Sequence, residues 1–375
     1  MVVVNTRLVI PGKLDGIGWF SYQTFWRIAR NNPDVDFRFI FDREPSRELN
    51  FPPNVKPVVL WPQARHPILY YWFFEKSVTK YLNQLKPDIF VSTDGFMSLK
   101  YKGRQIPVIH DLNFMHRPAD LPFSTRWYYR YFFPRWAKTA RRVATVSEYS
   151  KIDLMQTLGL SHEIIDVVHN GANEIFMPLD AETAKGVRNK FTGGKKYLVY
   201  VGSLHKRKNI GNTLVAFDRF KSTHVTDCRL VVVGNYLFGK NGIEKTLNAL
   251  KYKQDVIFTG RLDNEDLALV VGASEALVLV SFFEGFGIPL IEAFNCDVPV
   301  ITSNVTSLPE VAGDAGLIVN PHSVEEIAEA MKQIVSQPQL RESLVGKARI
   351  VRQKFSWEKT AELMWQSIKK GIEGS

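Results

Sequence analysis

Cysteine is nearly missing from this chain: of 375 residues only Cys228 and Cys296 carry a thiol, far apart and without ligand spacing. That excludes a disulfide scaffold and a cysteine-built zinc site, and the expectation is a reduced, cytoplasmic protein. Long apolar runs are missing as well. The longest candidate, Ile68 to Phe74, is only a strand's length and falls well short of the ~20 residues that cross a bilayer. Met1-Val2-Val3-Val4-Asn5-Thr6-Arg7 places no charged region before its short apolar run, so no signal peptide is expected. The one Asp-x-Asp, Asp34-Val35-Asp36, falls in a turn with no His or carboxylate beside it to complete an oxygen-rich site. No metal is expected there, and no cofactor. Short repeats and low-complexity tracts are absent too.

What is present is a globular composition, 45% hydrophobic and 23% charged, with a formal charge of +10. The basic excess is uneven: residues 1–173 hold 23 Lys and Arg against 15 Asp and Glu, the remainder 25 against 23. The N-terminal half therefore attracts anionic partners, whether nucleic acid, anionic lipid or a phosphorylated substrate. Short apolar strands alternate with helical patterns, the mark of α/β units with parallel sheets. The first half offers strands at Val2–Val4, Phe37–Phe41, Ile89–Ser92, Val108–His110 and Arg142–Val146, and helices at Ile17–Asn31, Phe73–Leu85 and Ser147–Thr157. The second offers strands at Tyr197–Val201, Leu230–Val233, Val256–Thr259, Ala276–Val280, Val298–Thr302 and Leu317–Val319, with a helix at Val324–Val335. Turn formers at Asn170-Gly171-Ala172-Asn173 mark the joint. The pattern predicts two Rossmann-like domains of similar size facing a cleft, 1–172 and 173–356, followed by a terminal helix over 357–375 capped by Ser356.

The run Ser281-Phe282-Phe283-Glu284-Gly285-Phe286-Gly287-Ile288-Pro289-Leu290-Ile291-Glu292-Ala293 is the most informative stretch. It reads as the end of a buried strand, a glycine loop and a helix start. Amides at such a start point outward with the positive end of the macrodipole behind them and can seat a phosphate. Glu284 on the loop and Glu292, read here in the first helical turn, are acceptor-only groups that can face one pocket, which suits a ligand carrying phosphate and hydroxyls. The bland alternative stands beside this: an acid early in a helix is favoured without any ligand, and a glycine loop can be a plain turn.

Three further runs carry chemistry. Gly12-Lys13-Leu14-Asp15-Gly16-Ile17-Gly18 lies between the first strand and first helix, where glycine lets amides reach a phosphate or simply makes a tight turn. Ser21 breaks a dinucleotide fingerprint there. His110-Asp111 closes a predicted strand, in the crevice where open α/β sheets bind ligands, although a lone His at a strand end is often structural. Gly202-Ser203-Leu204-His205-Lys206-Arg207-Lys208-Asn209 places cations after a strand, for an anionic leaving group or as a solvated basic turn.

These motifs, in this order, resemble the retaining glycosyltransferases of family 4 over most of the chain, with E-x7-E inside EGFG-x-P-x-x-E as the most specific match. The resemblance implies the two-domain GT-B fold, with the terminal helix crossing back onto the first domain, and transfer of a hexose from a nucleotide sugar, GDP-mannose or a UDP-sugar, to an acceptor hydroxyl. It implies that His110 approaches the donor sugar, that Arg207 and Lys208 clamp the diphosphate, and that Glu284 holds sugar hydroxyls. It further implies Glu292 on the ribose, amides of Phe286, Gly287 and Ile288 on sugar and phosphate, and Gly16, Gly18 and Gly202 lining the donor site. Ser203 stands where many members carry Arg. A metal-independent, cytoplasmic enzyme of cell-surface polysaccharide or glycolipid synthesis, at the inner face of the membrane, is the implied setting, with a saccharide or lipid-linked acceptor. A GT-B nucleotide-sugar epimerase and a catalytically silent scaffold are the alternatives.

The stretch Arg117–Arg142 interleaves Trp127, Tyr128, Tyr129, Tyr131, Phe132, Phe133 and Trp136 with Arg126, Arg130, Arg135, Lys138 and Arg141. It fits a buried helix with a basic outer face, a membrane-surface segment toward anionic lipid, or, least, a single-stranded nucleic-acid platform. Trp61 and Ile68–Phe74 would enlarge its apolar patch.

Overall fold

A computed structural model describes residues 1–10, 12, 14–46, 48–235 and 242–374. The chain divides into two units, Met1–Gly171 with the C-terminal residues from Ser356, and Ala172–Phe355. The limits expected from the sequence, 172 and 356, each differ from these by one residue.

In the first unit, β1 (Val2–Asn5), β2 (Phe37–Phe41), β3 (Val55–Val59), β4 (Ile89–Ser92) and β5 (Gln105–Pro107) form a parallel sheet in the order β3-β2-β1-β4-β5. Val2, Val3 and Val4 are buried on both faces, as a central parallel strand requires. A parallel pair, β6 (Val143–Thr145) and β7 (Ile165–Val167), extends this edge through the bridge from Val108 to Ala144. The expected strand over Val108–His110 is corrected: the ladder ends at Pro107 and His110 stands on the loop beyond it. Two strands went unforeseen. β3 carries Lys56 and Pro57 on an edge, where a missing N–H is tolerated, and β7 is only three residues long.

The Ile68–Phe74 run is helical. Helix Pro67–Trp72 leads through a π turn, Phe73–Val78, into Thr79–Leu85. Helix Phe123–Thr139 turns Tyr128, Phe132, Phe133 and Trp136 into the core.

The terminal helix Trp357–Glu373 belongs to this first unit, against helix Gly16–Asn31 and strands β4, β5 and β7. Glu358 meets the Arg27 guanidinium at 2.6 Å, Thr360 donates to the His169 carbonyl at 2.6 Å, and Ser367 donates to Asp166 at 2.7 Å. Gly371 sits against Ile89, whose methyl would lie 2.7 Å from any Cβ at that position.

The second unit has one six-stranded parallel sheet: β8 (Tyr197–Val201), β9 (Arg229–Val233), β10 (Val256–Gly260), β11 (Ala276–Leu279), β12 (Val300–Ser303) and β13 (Gly316–Val319), ordered β10-β9-β8-β11-β12-β13. Helices Ile210–Thr223 and Val324–Ser336 pack together over one face around Leu214, Phe217, Ile327 and Met331. No helix among the described residues is long and apolar enough to cross a membrane.

Candidate functional site

In the second unit the chain runs outward from β8 to β9 and β10, then returns to add β11 on the other side of β8. Ligands bind open α/β sheets at the carboxyl ends of strands where the order reverses. Here those ends are Gly202–Asn209 after β8 and Val280–Gly287 after β11, the two runs singled out from the sequence. In the first unit the same reversal falls between β1 and β4.

The loops after β8 and β11 meet through Glu284. Lys208 Nζ lies 2.6 Å from one carboxylate oxygen and Arg207 Nη1 lies 3.1 Å from the other. The Ser281 hydroxyl donates to the first oxygen at 2.7 Å. Arg207 also donates to the Phe283 carbonyl at 2.6 Å, while its own carbonyl accepts from the Phe282 amide at 2.9 Å. Glu284 is 5% exposed. Burial works against its charge, but Lys208 and Arg207 prevail and hold its pKa down to about 2. The site thus keeps two cations on one carboxylate, a local excess of positive charge suited to an anion.

Local folding places these groups. The Arg207 amide donates to His205 Nδ1, which caps the single turn Lys206–Lys208. Asn209, in the left-handed region at φ 57°, donates to the Val280 and Pro321 carbonyls and ties the β8 loop to the end of β11. From the segment after β12, Ser307 donates to the carbonyls of Glu284 and Phe286 on the β11 loop, at 3.0 Å each. Thr306 is held at φ 60°, costly for a β-branched residue, with its hydroxyl accepting from the Glu284 amide at 3.2 Å.

Gly287 precedes helix Ile288–Asn295 at φ 107°, and Leu308 would lie 2.7 Å from any Cβ there. Its amide and that of Ile288 find no acceptor among the described residues, as at any uncapped helix start. Gly202 lies beside Lys208, and its carbonyl oxygen would stand 1.9 Å from a Cβ on Gly234.

Glu292 corrects an expectation. The helix begins at Ile288, so Glu292 falls past the first turn, where the helix-start charge reaches less. Its carboxyl has no partner among the described residues, and burial pushes its pKa up to about 8. An uncharged carboxyl there can both donate to and accept from a ligand hydroxyl.

His110, Gly16 and Gly18 belong to the first unit. His110 Nε2 lies 2.9 Å from the Thr93 carbonyl, so that nitrogen carries the proton in the neutral ring. Phe20 meets the imidazole edge-on at 5.1 Å. Burial lowers the His110 pKa, against the opposing pull of the Thr93 carbonyl and Asp111. Gly16 opens helix Gly16–Asn31 and is exposed. The Gly18 amide donates to Asp15 at 2.9 Å, and a Cβ there would lie 2.8 Å from the Leu8 carbonyl oxygen, so close packing demands this glycine. Lys13 of the same run lies outside the described residues.

Direct contact thus joins Arg207, Lys208 and Glu284, with Gly202, Phe286, Gly287 and Ile288 on the same loops and Glu292 one turn on. Ser281, Thr306 and Gly234 escaped the sequence reading. Ser281 stood inside the quoted run, whereas nothing local marks Thr306, whose role arises from its backbone conformation. Gly234 follows an apolar strand as many turn glycines do.

Comparison with known proteins bears on these same segments. Residues 15–174 match the model described as Glycosyltransferase Family 4, and residues 182–351 match Glycosyl transferases group 1. The O-antigen chain mannosyltransferase B of Escherichia coli is 27% identical over 256 residues, 68% of this chain and 67% of that protein. The serotype-specific mannosyltransferase WbdA of Escherichia coli is 28% identical over 61% of this chain but only 28% of its own length, so the chain spans under a third of that relative. In fold it is similar to the sucrose-phosphate synthase of Thermosynechococcus elongatus, with a TM-score of 0.81 at 19% identity, covering 100% and 99% of the two chains. WaaG, a glycosyltransferase involved in lipopolysaccharide biosynthesis, gives a TM-score of 0.73 at 18% identity over 96% and 98%. With two Rossmann-like parallel-sheet units, a glutamate loop and basic turn at the switch point, and two family models that together take in most of its length, the chain belongs to the family 4, group 1 glycosyltransferases of GT-B fold.

Proposed function

We propose that this chain moves a hexosyl group, mannosyl first among candidates, from a nucleotide sugar to an acceptor hydroxyl with retention at the anomeric carbon. One observation carries the reading: Arg207 and Lys208 converge on buried Glu284 beside the amides of Gly287 and Ile288. A donor has complementary groups in the same order. Its diphosphate takes the two cations and the helix start, and its sugar hydroxyls donate to Glu284, which the same cations keep ionised at neutral pH. The ribose diol donates to Glu292. Charge develops on the diphosphate as the glycosidic bond breaks, and Arg207 and Lys208 stabilise it most at that point. The acceptor attacks from the side the diphosphate leaves, and a phosphate oxygen takes its proton. The positive charge comes from side chains, so transfer is expected to persist in chelator.

Relatives named as O-antigen mannosyltransferases support mannosyl transfer in cell-surface polysaccharide synthesis, with a saccharide or lipid-linked acceptor. The test is a thermal-shift panel of GDP- and UDP-sugars on wild type and Glu292→Ala, with and without chelator. It is followed by transfer to saccharide acceptors with the product's anomeric configuration read by NMR. A shift for one nucleotide class, reduced in the variant, with retained configuration in the product, is the expected result. No shift with any nucleotide sugar, product formed from donor alone, or an inverted anomer overturns it.

A further inference from the structure

One contact of the glutamate loop has no part in the chemistry proposed above. Ser307 follows β12 at the head of the short helix Leu308–Ala312, where a serine side chain ordinarily accepts from the amides of the helix it opens. It makes no such cap, and Pro309 removes one of the amides that a cap would serve. The Ser307 hydroxyl, fully buried, reaches the neighbouring loop instead and shares its one proton between the carbonyls of Glu284 and Phe286.

The segment around Ser307 is tied down on its own account. The Asn304 amide donates to the Val319 carbonyl of β13 at 2.9 Å, and the Ser303 hydroxyl donates to the Ser281 carbonyl at 2.7 Å. Thr306 keeps its left-handed conformation with the Glu284 amide on its hydroxyl, and Leu308, fully buried, packs against Gly287. Peptide geometry then has a consequence for the loop. The Phe286 carbonyl and the Gly287 amide belong to one planar trans peptide, so they point in opposite directions. A carbonyl drawn onto Ser307 therefore turns the Gly287 N–H away from Ser307, and that N–H finds no acceptor among the described residues. Glycine on one side of this plane leaves its rotation weakly restrained by sterics, so a hydrogen bond has to select the orientation.

We propose that Ser307 is a positioning residue for the donor: by holding the Phe286 carbonyl it aims the Gly287 amide at a phosphate oxygen before any ligand arrives. The role rests on reading Arg207, Lys208 and the start of helix Ile288–Asn295 as the diphosphate seat. A preorganised amide stabilises negative charge without having to reorganise. Loss of the latch therefore falls on diphosphate binding and spares recognition of base and ribose.

Inorganic pyrophosphate is the first probe, since it needs neither base nor sugar. It is titrated into the full chain labelled at phenylalanine carbonyl carbon and glycine nitrogen, which selects the amides of Gly239 and Gly287, told apart with Gly239→Ala. Ser307→Ala removes the latch without uncapping a helix, Ser307→Thr keeps the hydroxyl, and near-ultraviolet dichroism checks the fold of each. In wild type, pyrophosphate should move the Gly287 amide downfield. Ser307→Ala should lose that shift and bind pyrophosphate and nucleoside diphosphates roughly tenfold more weakly, with affinity for guanosine or uridine unchanged. Ser307→Thr should recover the shift. A Gly287 amide that stays unmoved in wild type overturns the proposal, whether or not the variants fold. So does a folded Ser307→Ala that binds pyrophosphate as wild type does, or that loses nucleoside and diphosphate affinity alike, and so does a folded Ser307→Thr without the shift. Wild type that takes pyrophosphate at Gly287 but binds no nucleotide sugar would instead sink the transferase reading and leave the role of Ser307 standing.

Discussion

Replacing Glu284 by glutamine keeps the side chain's shape and removes the charge between Lys208 and Arg207. The carboxylate's pKa is about 2 against an ordinary value of 4.5. A depressed carboxylate stabilises the fold above the unfolded pKa and loses that contribution as pH falls through the folded one. The difference corresponds to about 3 kcal/mol at neutral pH and falls to less than half of that by pH 3. That agrees in size with leaving a buried charge unpaired, roughly 3–5 kcal/mol, taken at the low end because Lys208 and Arg207 keep 14% and 20% exposure. Urea unfolding of wild type and Glu284→Gln from pH 7 to pH 3 reads this directly. The gap between them should shrink by more than half across the range, most of it below pH 4. A constant gap would refute the electrostatic account and make Glu284 a packing residue. The same variant removes the carboxylate charge facing both cations, so it should bind a nucleoside diphosphate about tenfold more tightly, about 1.4 kcal/mol, while transferring sugar more slowly. Weaker nucleotide binding would remove Arg207 and Lys208 from the diphosphate.

Other substitutions probe separate parts. Glu292, raised to about 8 by burial, costs stability as pH rises from its unfolded value of 4.5 toward 8, because the unfolded chain ionises first. Glu292→Gln should therefore match wild type below pH 4.5 and exceed it at pH 8, with weaker donor binding in calorimetry; equal pH profiles would show that Glu292 is not held protonated. Gly234→Ala places a Cβ 1.9 Å from the Gly202 carbonyl oxygen, and should lower stability by at least about 3 kcal/mol in urea unfolding. An unaffected midpoint would mean the two loops part without cost. Gly186, inside helix Ala181–Thr192 with open space around it, should instead gain about 1 kcal/mol as alanine, and a loss would count against that helix.

The α/β class was legible because buried parallel strands such as Tyr197–Val201 and Ala276–Leu279 are continuous apolar runs between turn formers. Legibility failed where tertiary structure decides. Val108–His110 looks like a strand but contributes only the single bridge from Val108 to Ala144, while Gln105 and Pro107 look unlike one and pair with β4. Ile68–Phe74 is short and apolar, the case where periodicity cannot separate strand from helix. Within the site, Glu284 and the two cations were readable as types at a spacing. Their mutual neutralisation was not, since Arg207 and Glu284 meet only after two strands are placed side by side.

The terminal helix has a consequence for how the protein is made. Strands β4, β5 and β7 emerge from the ribosome long before the helix that packs on them, with the whole second unit between β7 and that helix. Ile89 and Ile106, against which Gly371 later packs, therefore wait uncovered while the second unit, contiguous in sequence, completes its own core. The order of folding is inverted relative to the order of synthesis. Of the two units, the one translated earlier is the later to close.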